Sequence, residues 1–398
     1  MTADTDADDL AGRLVALRRA IHAEPELGLD LPRTQAKVLA ALDGLDLEVT
    51  TGAALSSVVA VVRGRGRGRA VLLRGDMDAL PLREEPGSAP VTSRFEGLMH
   101  ACGHDLHVAG LVGAAHLLAA RRDELDGDVV LMFQPGEEGF DGARLMIDEG
   151  VLDAAGPRVL AAYAVHVLAA AVPRGVFATR TGTVLSASDE AVVTVTGRGG
   201  HSAQPHLAAD PIPAACEMVT TVQTRVTRGN DAFDPVIVGV GRFEAGTTAS
   251  IIPDRAEFRA TLRSFSRTGR ERVARLLTET CHGVAAAHGV HADVDVVDGY
   301  GPTVNDPAET AFASGVIAGV FGPERLLTWD VPWPASEDFS RVLDEVPGCF
   351  VGLGAALAGT DPATCANNHS PLARFDEGVI LDASRLLAEL AVRRLAAP

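Results

Sequence analysis

The sequence predicts an α/β protein with a mainly parallel sheet, covered by helices on both faces, and a smaller domain inserted into it. Three observations carry this reading. Apolar stretches of strand length alternate with helical stretches over the first part of the chain. From about Asp189 the order becomes strand, helix, strand, strand, helix, strand, and after Tyr300 the first rhythm resumes. The length, 398 residues with 47% apolar, is enough for two separate cores.

Leu10, Leu14, Leu17 and Ile21 recur at helical spacing, so the chain opens on an amphipathic helix. Short apolar strands follow at 58–62 and 70–74. The Arg-Gly alternation between them, 63–69, reads as a solvated hairpin loop; an RNA-binding segment is the sharper reading and suits an acidic chain poorly. A helix over 104–121 leads into a buried strand at 129–133.

In the insert, strands at 190–196, 235–243, 255–264 and 291–297 and helices at 210–227 and 268–288 follow the ferredoxin-like βαββαβ order. Strand 255–264 alternates, with Ala256, Phe258, Ala260 and Leu262 towards the helices and Arg255, Glu257, Arg259 and Arg263 away. Cys216 is expected on the apolar face of helix 210–227, shielded by packing. The limits that follow are 1–187 and 299–398 for the larger domain and 188–298 for the insert.

The formal net charge of −18 argues against nucleic acid and anionic membranes as partners. Lys37 is the single lysine, a composition bias without functional meaning. The acidic start, Met1 to Leu10, lacks the basic and apolar regions of a secretory signal, and no apolar run reaches the ~18 residues of a membrane span. Five cysteines without a CxxC pair do not suggest a disulfide framework, so a cytoplasmic setting is expected.

Four segments concentrate metal-capable side chains where strands end. They are Arg74-Gly75-Asp76-Met77-Asp78, His100-Ala101-Cys102-Gly103-His104-Asp105-Leu106-His107, Gln134-Pro135-Gly136-Glu137-Glu138, and His166 after an apolar run. Each alone has an ordinary explanation: a core histidine, a solvated turn, a small buried thiol. Jointly they point to a metal centre, because open α/β sheets gather their sites outside the carboxyl ends of the strands. Imidazole, thiolate and carboxylate together suit Zn²⁺ or another first-row ion. Adjacent glutamates can divide the work, one binding metal and the other moving a proton.

These blocks, with Gly199-Gly200-His201-Ser202-Ala203-Gln204-Pro205-His206, resemble the amidohydrolase branch of the aminoacylase/carboxypeptidase metallopeptidases. Hippurate hydrolases, auxin-conjugate hydrolases and N-acetyldiaminopimelate deacetylases belong to that branch. The blocks at Ile21 to Gly28, Ser336 to Phe339 and His369 to Pro371 extend the resemblance over residues 14–376. It implies a metallopeptidase-type mixed sheet, and an insert serving as lid and dimer surface in a homodimer or higher homo-oligomer. It also implies two Mn²⁺ or Zn²⁺ ions per subunit, held by Cys102, His104, Glu138, His166 and His369. Glu137 would be the general base and Asp76 an orienting carboxylate, assisted by Asp78. His201 would reach the reacting carbonyl, often in the partner's site, and Arg263 would bind the substrate's α-carboxylate.

Three positions depart from the pattern. Gly136 replaces the usual Ala, Asn367-Asn368-His369-Ser370-Pro371 replaces a Leu-His-Asn-Pro block, and Ser250 stands where Asn orients substrate. The expected activity is hydrolysis of the amide of an N-acyl amino acid. A dipeptidase or carboxypeptidase is the alternative within enzymes, and a catalytically silent metal-binding protein the alternative outside them.

Overall fold

The computed structural model describes residues 3–85 and 90–397, and the chain divides into two compact units. Met1 and Thr2, part of the acidic start, lie outside the described residues. The first unit comprises Met1–Val184, Val304–Val331 and Asp338–Pro398; the second comprises Leu185–Thr303 and Pro332–Glu337. Among the described residues no helix is long and apolar enough to cross a membrane.

An eight-stranded mixed sheet organises the first unit. Its order is Glu48–Thr51, Val58–Val62, Asp128–Gln134, Ala70–Asp76, Ala162–Leu168, Gly348–Gly354, Phe177–Thr179 and Leu326–Thr328. The four strands from Asp128–Gln134 to Gly348–Gly354 are mutually parallel, while antiparallel pairs flank them. Ala70–Asp76 and Asp128–Gln134 are buried at every position, as near-continuous apolar runs of a covered parallel sheet should be. Helices His104–Ala120 and Ile380–Ala396 pack on Ala70–Asp76 and on each other. His104–Ala120 is apolar nearly all round, which suits a helix with 13 of its 17 residues buried. Each large side chain sealed in this way, such as Phe133 or Leu73, contributes roughly 1.5–3 kcal/mol.

The Arg-Gly segment is not a hairpin. Val58–Val62 and Ala70–Asp76 do not pair, because Asp128–Gln134 lies between them. The segment instead rests against the approach to that central strand. Arg63 pairs with Asp128 at 2.7 Å and Arg65 with Asp126 at 2.8 Å, and the N–H groups of Arg65 and Gly66 donate to the Leu125 carbonyl. Those ion pairs give the arginines a structural task.

The second unit carries an antiparallel sheet in the order Val236–Ala245, Arg255–Ser264, Ala187–Thr196, His291–Tyr300. Helices Pro211–Gly229 and Arg267–His288 pack on it. Each helix starts at a polar cap: Asp210 accepts from the Ile212 N–H and Ser266 from the Gly269 N–H. Along Arg255–Ser264 burial alternates as anticipated, with Ala256, Phe258, Ala260 and Leu262 inside. Cys216 is a correction: it is exposed. The buried stripe of its helix runs through Ala214, Ala215, Met218, Val222 and Val226, and Cys216 lies about 200° around from Met218. The shielded thiol of this unit is Cys281, on the neighbouring helix.

Candidate metal centre

The site of the first unit forms where the parallel strands end. Asp76 closes one strand, Gln134 closes its neighbour and leads to Glu137 and Glu138, and His166 lies near the end of a third. Cys102 and His104 come from the turn into helix His104–Ala120. That turn needs Gly103, whose φ is +87° and whose absent Cβ would stand 2.4 Å from Val167 Cγ2. His369 arrives on the loop before the last helix with φ +65°, its N–H donating to the Ala101 carbonyl. A left-handed backbone at a non-glycine residue is sparsely populated and is held here by its surroundings.

Cys102, His104 and His166 each bring a ligand atom within 4.8 Å of the others, and Cys102, Glu138 and His369 do the same. The thiol is thus common to two groups of three. Its Sγ stands 3.5 Å from His166 Nε2 and 3.3 Å from His369 Nε2, which is 3.1 Å from Glu138 Oε1. A third group joins His104 to Glu137 and Glu138, with His104 Nε2 at 4.0 Å from a carboxylate oxygen of each.

Backbone acceptors orient the rings. His104 Nδ1–H donates to the Asp78 carbonyl and His166 Nδ1–H to the Val167 carbonyl, each at 2.9 Å. Both Nε2 atoms therefore face the centre as bases, and that of His104 is buried without a hydrogen-bond partner. An orphaned buried nitrogen beside a thiol and two carboxylates fits a divalent cation. Asp78 holds the glutamate pair from below, accepting from the N–H groups of Glu137 and Glu138 at 3.0 Å. Gly136, the departure from the family pattern, takes φ +76°, where an alanine would be strained.

Charge in the site is organised around Asp76. Burial alone would raise its pKa, but Arg74, His104 and His107 hold it well below the carboxylate range. His104 is raised well above the imidazole range, against the effect of burial, by Asp76 and Cys102. His369 is pushed up to about 10 by hydrogen bonds to Cys102 and Glu138. His166 is driven well below its usual value by burial and by His107. The upward shifts of His104 and His369 show that their surroundings favour positive charge.

Further side chains brace the centre. Arg74, buried, binds Asp76, Gln134 and Asp338, and Gln134 also donates to Asp338. This one network joins three of the sequence blocks. His22 reaches Asp105 at 2.8 Å, and Glu26 accepts from the Arg33 and Thr34 N–H groups at the start of helix Pro32–Leu42. The Ile21 to Gly28 block therefore supports the fold beneath the site. Two residues were not singled out from sequence. Asn368 donates to the carbonyls of Cys102 and Val167 and accepts from the Ala169 N–H. His107 bonds Asp76 and the Val167 N–H. Asn368 lies in a block that departs from the family pattern, and His107 is one of several metal-capable side chains in its segment.

His201, Ser250 and Arg263 belong to the second unit. His201 pairs with Ile251 in a two-residue ladder, and both His201 and Ser250 line an open cavity of about 450 Å³ with Gly199, Gly200, Ile252 and Asp254. His201 Nδ1 accepts from the Ala203 N–H at 3.1 Å, which leaves Nε2–H as a donor. Arg263 leaves its Nη1 buried without a partner, and burial lowers its pKa. A guanidinium so placed suits a carboxylate ligand.

Comparison with known proteins gives the family and the fold. Residues 72–393 match the pattern described as peptidase family M20/M25/M40. An N-acetylcysteine deacetylase of Bacillus subtilis is 33% identical over 96% of each chain. Thermostable carboxypeptidase 2 of Saccharolobus solfataricus is 33% identical over 98% of this chain and 97% of its own. A solved structure of Bacillus subtilis YXEP, described as a dinuclear metal binding peptidase, superposes with a TM-score of 0.83 at 30% identity, covering 98% of this chain and all of that one.

Proposed function

We propose a reaction from one premise: this chain belongs to peptidase family M20/M25/M40, and it is a hydrolase of carbon–nitrogen bonds. The reaction is hydrolysis of the amide of an N-acyl amino acid, releasing a carboxylate and a free amino acid. The observation that carries this reading is the pair of ligand groups sharing Cys102, with Glu137 beside them. Cys102, His104 and His166 would hold one divalent ion and Cys102, Glu138 and His369 a second, Mn²⁺ or Zn²⁺. When bound, such ions lower the pKa of a water and polarise the scissile carbonyl.

The chain's own groups do the rest. Glu137 accepts the proton of the attacking water and passes it to the departing amine nitrogen. Asp76 and Asp78 keep the ligand histidine and the glutamate pair in register. His201 donates its Nε2–H to the oxyanion of the tetrahedral intermediate, Arg263 binds the α-carboxylate, and Ser250 helps orient the substrate. The second unit, of ferredoxin-like order, serves as lid and dimerisation surface in a cytoplasmic homodimer or higher homo-oligomer, with His201 acting in the partner's site.

A panel of N-acetyl, N-benzoyl and indoleacetyl amino acids, assayed with Mn²⁺ and with chelator, tests this. Metal-dependent release of the free amino acid is expected. The similarity to a carboxypeptidase makes a dipeptidase or carboxypeptidase the second reading, and faster turnover of peptides than of acyl amino acids would favour it.

A further inference from the structure

Strands Ala70–Asp76 and Ala162–Leu168 run parallel and pair from Leu72 and Ala162 to Arg74 and Ala164. Beyond that point the ladder stops, yet both strands continue into the site, one ending in Asp76 and the other carrying His166. The imidazole of His107, from the first turn of helix His104–Ala120, occupies the gap. Its Nδ1–H donates to Asp76 Oδ1 at 2.5 Å, and its Nε2 accepts the Val167 N–H at 2.8 Å.

A ring nitrogen that accepts from a backbone N–H carries no proton, so these bonds define the tautomer. Both nitrogens are engaged, which removes His107 from the ligands although it is a histidine within reach of Asp76 and His104. Its side chain is buried, and its ring meets that of His166 edge-on with centroids 4.5 Å apart and lies 5.4 Å from that of His104.

We propose that His107 is a positioning residue that splices the two strand ends and so sets the His104/His166 half of a two-ion centre. The bond to Val167 N–H fixes the peptide that follows His166, while the bond to Asp76 ties that peptide to the neighbouring strand. The Glu138/His369 half is held by other means: Asp78 on the glutamate pair, and the Ala101 carbonyl on the His369 N–H. Loss of His107 should therefore weaken one ion and spare the other. This inference rests on the two-ion reading given above.

The test uses the full-length chain loaded with Zn²⁺, ions counted by elemental analysis and their affinities ranked by chelator competition. Wild type should hold two ions. His107→Phe keeps the ring and loses both bonds; it should weaken one ion about 10–100-fold, the usual loss when a ligand's support is removed, and leave the other near wild type. In His107→Gln the amide oxygen can replace Nε2 as acceptor of the Val167 N–H, whereas His107→Asn keeps only the donor towards Asp76. The glutamine variant should bind the weakened ion better than the asparagine variant, a ranking that general destabilisation would not produce. Equal weakening of both ions, no weakening, or glutamine no better than asparagine would overturn the proposal, and that last comparison still decides if the phenylalanine variant does not fold. A wild type holding fewer than two ions would instead refute the two-ion reading, and His107 would then be judged on the remaining ion.

Discussion

Strand Ala70–Asp76 of the first unit is buried at all seven positions, whereas strand Arg255–Ser264 of the second alternates between a covered and an open face. The candidate functional residues follow the same division. Asp76, His104 and His107 are buried in a network in which Arg74, the Asp78 carbonyl and the Val167 N–H fix their orientation. His201 and Ser250 are exposed, His201 on a ladder of two residues and Ser250 just before the strand that pairs with it. A metal centre needs ligands fixed before the ion arrives, and a rigid buried sheet end supplies that. A group that meets a substrate gains from an accessible turn, where its removal disturbs little else.

The sharpest way to break this comparison is to separate proton transfer from ligation in the first unit. Glu137→Gln should lower kcat by about 10²–10⁴-fold or more, the range of a lost general base, with the fold intact by circular dichroism. Activity near wild type would remove Glu137 from the chemistry.

The counterpart in the second unit is His201→Ala, expected to lower kcat by roughly 10²–10³-fold, as for a lost oxyanion donor, while thermal unfolding stays unchanged. A variant that loses metal or folds poorly would show that the turn is not as independent as its exposure suggests. Mixed oligomers of His201→Ala and Glu137→Gln subunits sharpen the point. Recovered activity places the histidine in the partner's site, and none after proven subunit exchange confines it to its own.

Thiol reactivity compares the units at smaller amplitude. Cys102 should alkylate at least about tenfold faster after chelation than in the metal-loaded protein, because a coordinated thiolate is a poor nucleophile. Cys281, whose thiol is pushed up to about 12 by burial, should stay unreactive in both states, while exposed Cys216 should react in both. Equal rates at Cys102 with and without metal would mean that its sulfur is simply packed. The smallest effect is expected at Ser250→Asn, where one altered hydrogen bond should shift kcat/KM among acyl amino acids by about tenfold or less. A larger shift would make Ser250 a principal determinant of specificity.

The second unit's sheet was legible because period-two alternation survives wherever one face is open: strand 255–264 was placed to the residue. The first unit's strands were found as apolar runs, but nothing in a run says which strands pair. The Arg-Gly segment was therefore mistaken for a hairpin, although a third strand separates its two flanks. Cys216 was misplaced because helix 210–227 is rich in small residues, which blur the boundary of its apolar face. In the site, residue types at strand ends were readable, and the five candidate ligands do gather in two groups. What could not be read was the bracing by His107 and Asn368, since it depends on backbone N–H and C=O groups that only the fold brings within reach.

The central claim is a division of labour between adjacent carboxylates in a two-ion centre, and counting ions per chain tests it directly. Wild type and Glu137→Gln should both carry two ions by elemental analysis, while Glu138→Gln should lose occupancy of one. Equal loss in the two glutamate variants, or full occupancy in both, would contradict the account.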